Sequence, residues 1–344
     1  MPRQFCKAVV QNYEDDRFET FLGEIKYFYT MRICFLFLCI LGFISSCTKE
    51  VKIDIPGYEE QLVVDGRIDQ DGFPIVLLSR SQNIYASTDL SAYLSSFVTD
   101  ATLEVTDGVS TVPLQLMTIS ELPEETRKRV AEMLSVEYDE VLFLPVQVYS
   151  TSNTAILGQV GKSYTLNISW KGKSYSGSTT LLPPVALDGL YWEPDAANDQ
   201  FGLCMARLSD PPGQRNCYKW EPKNFSIQTD GQPKDILFRH SNNPFFGDQF
   251  FDGLTFEFDT RYPKGDTTYP DGYRKHYKLG DSIVIKLSRL DNAVYDFFEK
   301  KDAQQSNAGS PFATPVNVPS NLSGGALGIW AGYSFTLDTL YCIP

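Results

Sequence analysis

Residues 162–181 read KSYTLNISWKGKSYSGSTTL, and the large side chains Tyr164, Leu166, Ile168 and Trp170 fall at every second position. A period of two places them on one face of an extended strand and excludes a helix, whose period is 3.6. Lys171-Gly172 supplies a two-residue turn, and the returning stretch closes a hairpin. The same logic applies to EQLVVDGRI (60–68) and FPIVLLSRS (73–81) around the turn DQDG. It applies again to ATLEVTDG (101–108) and TVPLQL (111–116) around Asp107-Gly108. Six short strands at this spacing predict a mostly β chain that opens with a β-sandwich of immunoglobulin or transthyretin kind.

The sandwich is expected over 59–184. The two prolines of LLPPVALDG (181–189) set its end, and a second, irregular β domain is expected over 185–344 with one or two short helices in the protein. FGLCMARLS (201–209) and NCYKWEP (216–222) are expected to pair across DPPGQR, and SIVIKLS (282–288) reads as a strand. Two helices are predicted. ISELPEETRKRVAEMLS (119–135) has Ser120 as its cap, and RLDNAVYDFFEKKDAQQSN (289–307) is capped by Ser288. Cys204, Cys217 and Cys342 are odd in number and form no CxxC pair, so buried thiols are expected.

Upstream, Ile33–Ile44 is a run of twelve mostly apolar residues. Spanning a bilayer takes about 20, whereas the run suits the core of a secretory signal. Arg32 follows Met31, and Ser45 and Ser46 precede Cys47. A cysteine directly after two small residues resembles the lipobox of bacterial lipoproteins. That resemblance implies cleavage between Ser46 and Cys47 and lipidation of Cys47. Acidic residues at 14–16 and 19 precede the apolar core, where signals avoid them. Residues 1–30 therefore read as a mis-assigned upstream extension, 31–46 as the signal peptide and 47–58 as a tether.

The net charge of −13 argues against nucleic acid, which demands basic patches. Only two histidines are present, and no metalloprotease, nucleophile-elbow, phosphate-loop or dinucleotide motif occurs. No catalytic residue, cofactor or metal ligand is assigned. DGRIDQDG (65–72) places three aspartates close together, but Arg67 occupies a would-be calcium-ligand position, so the stretch reads as a hairpin turn. Phe245, Phe246, Phe250 and Phe251 lie in an aromatic, Asp-rich stretch and are the candidate ligand-binding aromatics.

CTKEVKIDIP, LVVDGRI, IVLLSRS, VGKSYTLNISWKGKSYSGSTTLLPP, SDPPGQRNCYKW and SPFATPVNVPSNLSGGALGIWAGYS follow one another in an order that resembles a family of Bacteroidetes lipoproteins, domain of unknown function 4249. The resemblance implies an outer-membrane lipoprotein, membrane-bound through its lipid. It further implies an accessory of a TonB-dependent nutrient-uptake transporter. Thr48-Lys49-Glu50 resembles the charged signal that sends such lipoproteins to the cell surface. The leading expectation is thus a non-catalytic component that docks on a transporter or captures a glycan or peptide ligand. The alternatives are an extracellular glycan or peptide hydrolase, supported by the aromatic, Asp-rich 240–273 stretch, and a structural or adhesion module.

Overall fold

Alternation makes the strands. A computed structural model describes residues 59–82, 89–240, 244–307 and 316–343; the signal, Cys47 and the tether lie outside them. The chain is mostly β. Three hairpins form where the sequence places them: β1 (Leu62–Asp69) with β2 (Ile75–Arg80), β3 (Thr102–Thr106) with β4 (Thr111–Thr118), and β6 (Ser163–Trp170) with β7 (Lys173–Thr180). Lys171 and Gly172 both take positive φ, 48° and 74°, as the mirror-image two-residue turn requires.

These strands belong to one mixed sheet of eleven. Its order is β11 (Phe245–Gly247), β10 (Cys217–Asn224), β14 (Ser282–Leu290), β15 (Leu327–Tyr341), β1, β2, β5 (Gln147–Ser150), β4, β3, β6, β7. Among the described residues the last strand, β15, runs parallel to the first, β1, so one sheet passes through both halves of the sequence. Residues Glu59–Pro344 form one compact unit. The Leu181–Leu187 stretch carries the chain from this sheet into a smaller one. There β9 (Asn198–Ser209) is flanked by β8 (Gly189–Asp195) on one side and by β12 (Thr255–Thr260) and β13 (Tyr277–Lys278) on the other.

β9 and β10 do not pair across DPPGQR, contrary to the sequence expectation. β10 pairs with β11 and β14 instead. Cys204, Ala206 and Leu208 of β9 meet Tyr218 and Trp220 of β10 face to face in a core, so the proline-rich turn crosses between sheets and closes no ladder.

One face of the large sheet lies in a core along its length, whereas the other is covered only in part and is open at β3, β4, β6 and β7. On one face it folds over itself: Leu62, Val64 and Ile68 of β1 share a core with Leu103, Val105, Leu166 and Ile168 of β3 and β6. Trp330 is fully buried there and donates through Nε1 to the Tyr164 carbonyl at 3.0 Å. Farther along the same face the smaller sheet packs against Ile283, Ile285 and Leu340. The other face carries helices. Four occur among the described residues: α1 (Leu90–Ser95), α2 (Glu124–Leu134), α3 (Tyr138–Val141) and α4 (Asn292–Asn307). Val130 and Ala131 of α2 cover Ile75, Leu77 and Val148. Val294, Tyr295 and Phe297 of α4 cover Ile329 and Ala331. None of these helices is long and apolar enough to cross a membrane.

Both helix starts differ from the sequence expectation. Ser120 lies in a short 3-10 turn, and α2 begins after Pro123, with Glu124 and Glu125 in its first turn complementing the dipole. Ser288 is a buried strand residue opposite Lys219, and the α4 start is held by Asp291, whose Oδ1 accepts from the Val294 amide at 2.9 Å.

Gly328 lies at the β1–β15 junction. Its φ is +94°, and an added Cβ would run into the Val64 carbonyl oxygen of its paired residue. Gly328→Ala is expected to cost about 1–3 kcal/mol, read as a lower urea midpoint. An unchanged midpoint would contradict this junction.

Candidate ligand-binding site

Between α2 and α4 the helix-bearing face of the large sheet is left partly uncovered, and a cavity of about 1030 Å³ opens there. The floor comes from β1, β10 and β15. One wall is the α4 aromatics Phe297 and Phe298, with Phe245 of β11 stacked on Phe298 at 4.5 Å and 8°. The opposite side carries Glu132 and Met133 of α2. The size suits a small molecule or short oligomer.

The floor is charged, for a reason visible in strand parity. Asp65, Arg67 and Asp69 alternate on β1 with Val64, Gly66 and Ile68, which face the folded-over core. Lys219 and Glu221 alternate likewise on β10. Register brings them together on one face: Asp69 opposes Tyr333, and Glu221 opposes Lys286.

These groups form a buried ion network. Arg67 donates to both carboxylate oxygens of Asp69, with Nη2 at 2.7 Å, and through Nη1 to Glu132 at 3.3 Å. Arg129 Nε approaches Asp69 at 3.2 Å. Lys219 holds Glu221 at 2.7 Å and Lys286 holds it at 3.1 Å. Tyr333 lies under the cations, its ring 4.8 Å from the Arg67 guanidinium and 5.5 Å from the Lys219 ammonium. Arg67, Asp69, Glu221 and Lys286 are each under 7% exposed.

Burial pushes the carboxyls of Asp69 and Glu221 up, but the facing cations outweigh it. Arg67 and Arg129 hold Asp69 below the usual carboxylate range, and Lys219 and Lys286 hold Glu221 well below it. Burial lowers the pKa of Lys219, and Arg67 and Lys286 add to that against Glu221. Depressed carboxylates stabilise the fold fully above their unfolded pKa of about 4, and that stability is lost as pH falls through the folded values. The urea midpoint is therefore expected to hold from neutrality down to about pH 5 and to fall steeply below about pH 4. A midpoint unchanged to about pH 3 would contradict the network.

The structure places the four candidate phenylalanines differently. Phe245 lines the cavity. Phe246 stacks on Tyr218 at 5.2 Å, and Phe251 packs on Phe256 at 4.2 Å in the core between the sheets. Phe250 is 87% exposed. They do not form one groove. Ser46 and Cys47 fall outside the described residues. DGRIDQDG is a strand as far as Asp69, and only the residues after it turn, with Asp71 at φ 56°. The three thiols are free and buried, and burial pushes each up to about 12.

The site residues that sequence reasoning missed are Asp65, Arg67, Glu132, Lys219, Glu221, Lys301 and Asp302. The available signal was charge at alternate positions inside otherwise apolar strands, as in Asp65-x-Arg67-x-Asp69 and Lys219-x-Glu221.

Away from the cavity, carboxylate oxygens of Asp210, Asp248 and Asp252 lie within 4.8 Å of one another, a spacing that fits a metal. Asp210 accepts from the Tyr218 hydroxyl at 2.6 Å, Asp248 from the Asn216 amide at 2.6 Å, and Asp252 from the Gly213 amide at 2.8 Å. These bonds tie down the DPPGQR loop. Of the histidines, His240 lines the cavity and His276 stacks edge-on against Tyr273 at 5.2 Å.

Residues 48–338 match the family model described as Domain of unknown function (DUF4249). No curated protein matches the chain.

Proposed function

The chain belongs to the DUF4249 family, and from that membership we propose a non-catalytic lipoprotein, anchored through Cys47 in the outer membrane and facing the exterior. In this reading it captures a ligand for a TonB-dependent nutrient transporter on which it docks. The observation that carries the capture role is the cavity: an aromatic wall from Phe245 and Phe298 stands beside a floor of fixed charges, the mixed lining of a small-molecule site. The ion network beneath holds that floor rigid. The folded-over part of the large sheet, read as an immunoglobulin- or transthyretin-like sandwich, follows the tether in the chain. Lipid tethering keeps the protein at the membrane and raises its effective concentration beside a partner, so docking need not be tight.

The test is a gentle-detergent pull-down from native membranes, with a tag after Pro344 and Cys47→Ala as control. Co-purification of a TonB-dependent transporter, lost in the control, is the expected result. Membrane-bound bait recovered alone would overturn docking.

A further inference from the structure

We propose that the open edge of β15 at Leu337–Tyr341 accepts an added β-strand from a partner protein, an extended segment with apolar side chains at alternate positions and a basic one between them. This rests on the docking reading above and names the surface and the kind of segment it takes.

β15 changes neighbours along its length. Leu327–Tyr333 pairs with β1, and Ser334–Tyr341 pairs with β14 on the opposite side. Past Tyr333 the β1 side of β15 has no strand beside it among the described residues. Backbone parity tells which groups face that side. The Cys342 amide donates to the Asp281 carbonyl, and the Cys342 carbonyl accepts from the Gly280 amide, so even-numbered residues turn to β14. Odd-numbered residues turn away. The Tyr333 carbonyl accepts from the Gln70 amide at 2.8 Å, and the Phe335 amide donates to the Gln70 side chain at 3.3 Å. Leu337, Thr339 and Tyr341 follow in the same sense. Among the described residues nothing bonds to the amides of these three or to the carbonyls of Leu337 and Thr339 on that side.

Unpaired donors and acceptors along a sheet edge are a template for another strand. This edge is also uncovered. Leu337 and Tyr341 are 54% and 58% exposed and share one face of the strand with Thr339. No lysine, proline or glycine interrupts the stretch. β7, at one end of the same sheet, is treated differently: Leu322 bridges to Gly177, and the Ser323 amide donates to the Ser176 carbonyl at 2.7 Å.

Asp338 selects among partners. It lies on the other face of the strand, half-buried between Leu337 and Thr339 in sequence, and among the described residues its Oδ2 has no partner. An inward-pointing charge keeps an edge from pairing indiscriminately. A second copy of this chain, paired antiparallel about Thr339, would set two Asp338 carboxylates diagonally across one face, where like charges repel. A strand that brings a lysine to that face supplies the opposite charge, and the net charge of −13 favours its approach.

The probe is the fluorescein-labelled peptide Thr-Val-Lys-Thr-Lys-Val-Thr, palindromic so that it fits either strand direction. Its binding to the full-length protein in detergent is read by fluorescence anisotropy, with Thr-Val-Glu-Thr-Glu-Val-Thr as the comparison. The basic peptide is expected to bind about tenfold or more tightly than the acidic one, and Asp338→Asn to remove that preference. Thr339→Pro deletes one outward amide and leaves the β14 ladder its hydrogen bonds. It is expected to weaken binding about tenfold or more, with thermal unfolding confirming the fold. Hydrogen exchange on the parent protein carries the test if the proline variant does not fold. There the basic peptide is expected to protect the Leu337 and Thr339 amides and to leave those of Asp338 and Leu340 unchanged. No binding, binding without that protection, equal affinity for the acidic peptide, or undiminished binding by a folded Thr339→Pro overturns the proposal. Protection that rises with protein concentration in the absence of peptide puts a second copy on the edge and overturns the partner class. In the pull-down above, a transporter recovered equally with Thr339→Pro overturns the edge and leaves docking standing.

Discussion

Arg67→Met is expected to lower stability by about 3–5 kcal/mol. Methionine fills most of the arginine's volume, so the loss is electrostatic. Arg67 is 6% exposed and faces both Asp69 and Glu132. Without it, Asp69 keeps only Arg129, at 3.2 Å, and Glu132 keeps Lys286, at 3.8 Å. Buried carboxylates stripped of a cation cost far more than the pair contributed when intact. The size of the loss is therefore the price of an unpaired charge. It follows that Arg67→Met combined with Asp69→Leu should recover much of the loss, because no stranded carboxylate remains at that position. Urea unfolding of the single and double variants measures this. A single variant within about 1 kcal/mol of the parent would show that the network does not hold the floor together.

Cys47→Ala is expected to move the protein from the membrane pellet to the soluble fraction almost completely. Each buried methylene of an acyl chain contributes about 0.8 kcal/mol, and stable anchoring takes about two chains. A lipidated Cys47 would supply them, and alanine supplies none. Fractionation with immunoblotting reads the result, and a high-salt wash separates lipid anchoring from charge-mediated adhesion, which salt screens. A chain of net charge −13 gains nothing from an anionic surface. If the alanine variant stayed in the pellet through the wash, the anchor would lie elsewhere.

What could be read from the sequence was local. The hairpin of Tyr164, Leu166, Ile168 and Trp170 was legible because alternation and a two-residue turn occur within twenty residues. The β1–β15 pairing was not, because its partners lie at opposite ends of the chain and a parallel pair leaves no turn between them. DPPGQR carries a strong turn signal, yet turn chemistry does not tell whether the chain returns to the same sheet, and here it passes to the other. The cavity floor was hidden for a related reason. Asp65-x-Arg67-x-Asp69 has the pattern of a solvent-facing strand edge, but α2, supplied by residues 124–134, covers its far end. Charge alternation marks a face and does not say what lies over it. Phe245 was singled out from the sequence and does line the cavity, whereas Phe246 was indistinguishable from it until β11 fixed which way each of the two rings turns, and Phe251, in the turn beyond that strand, packs on Phe256.

The most direct measurement of ligand capture is native mass spectrometry of the full-length protein taken from the cells that make it. Val63→Trp, which narrows the cavity from the β1 floor, is the comparison, with thermal unfolding confirming that the variant is folded. The account predicts a small-molecule mass released from the parent protein and missing from a folded Val63→Trp. A parent protein that carries no such mass, or a folded variant that carries the same one, would contradict it.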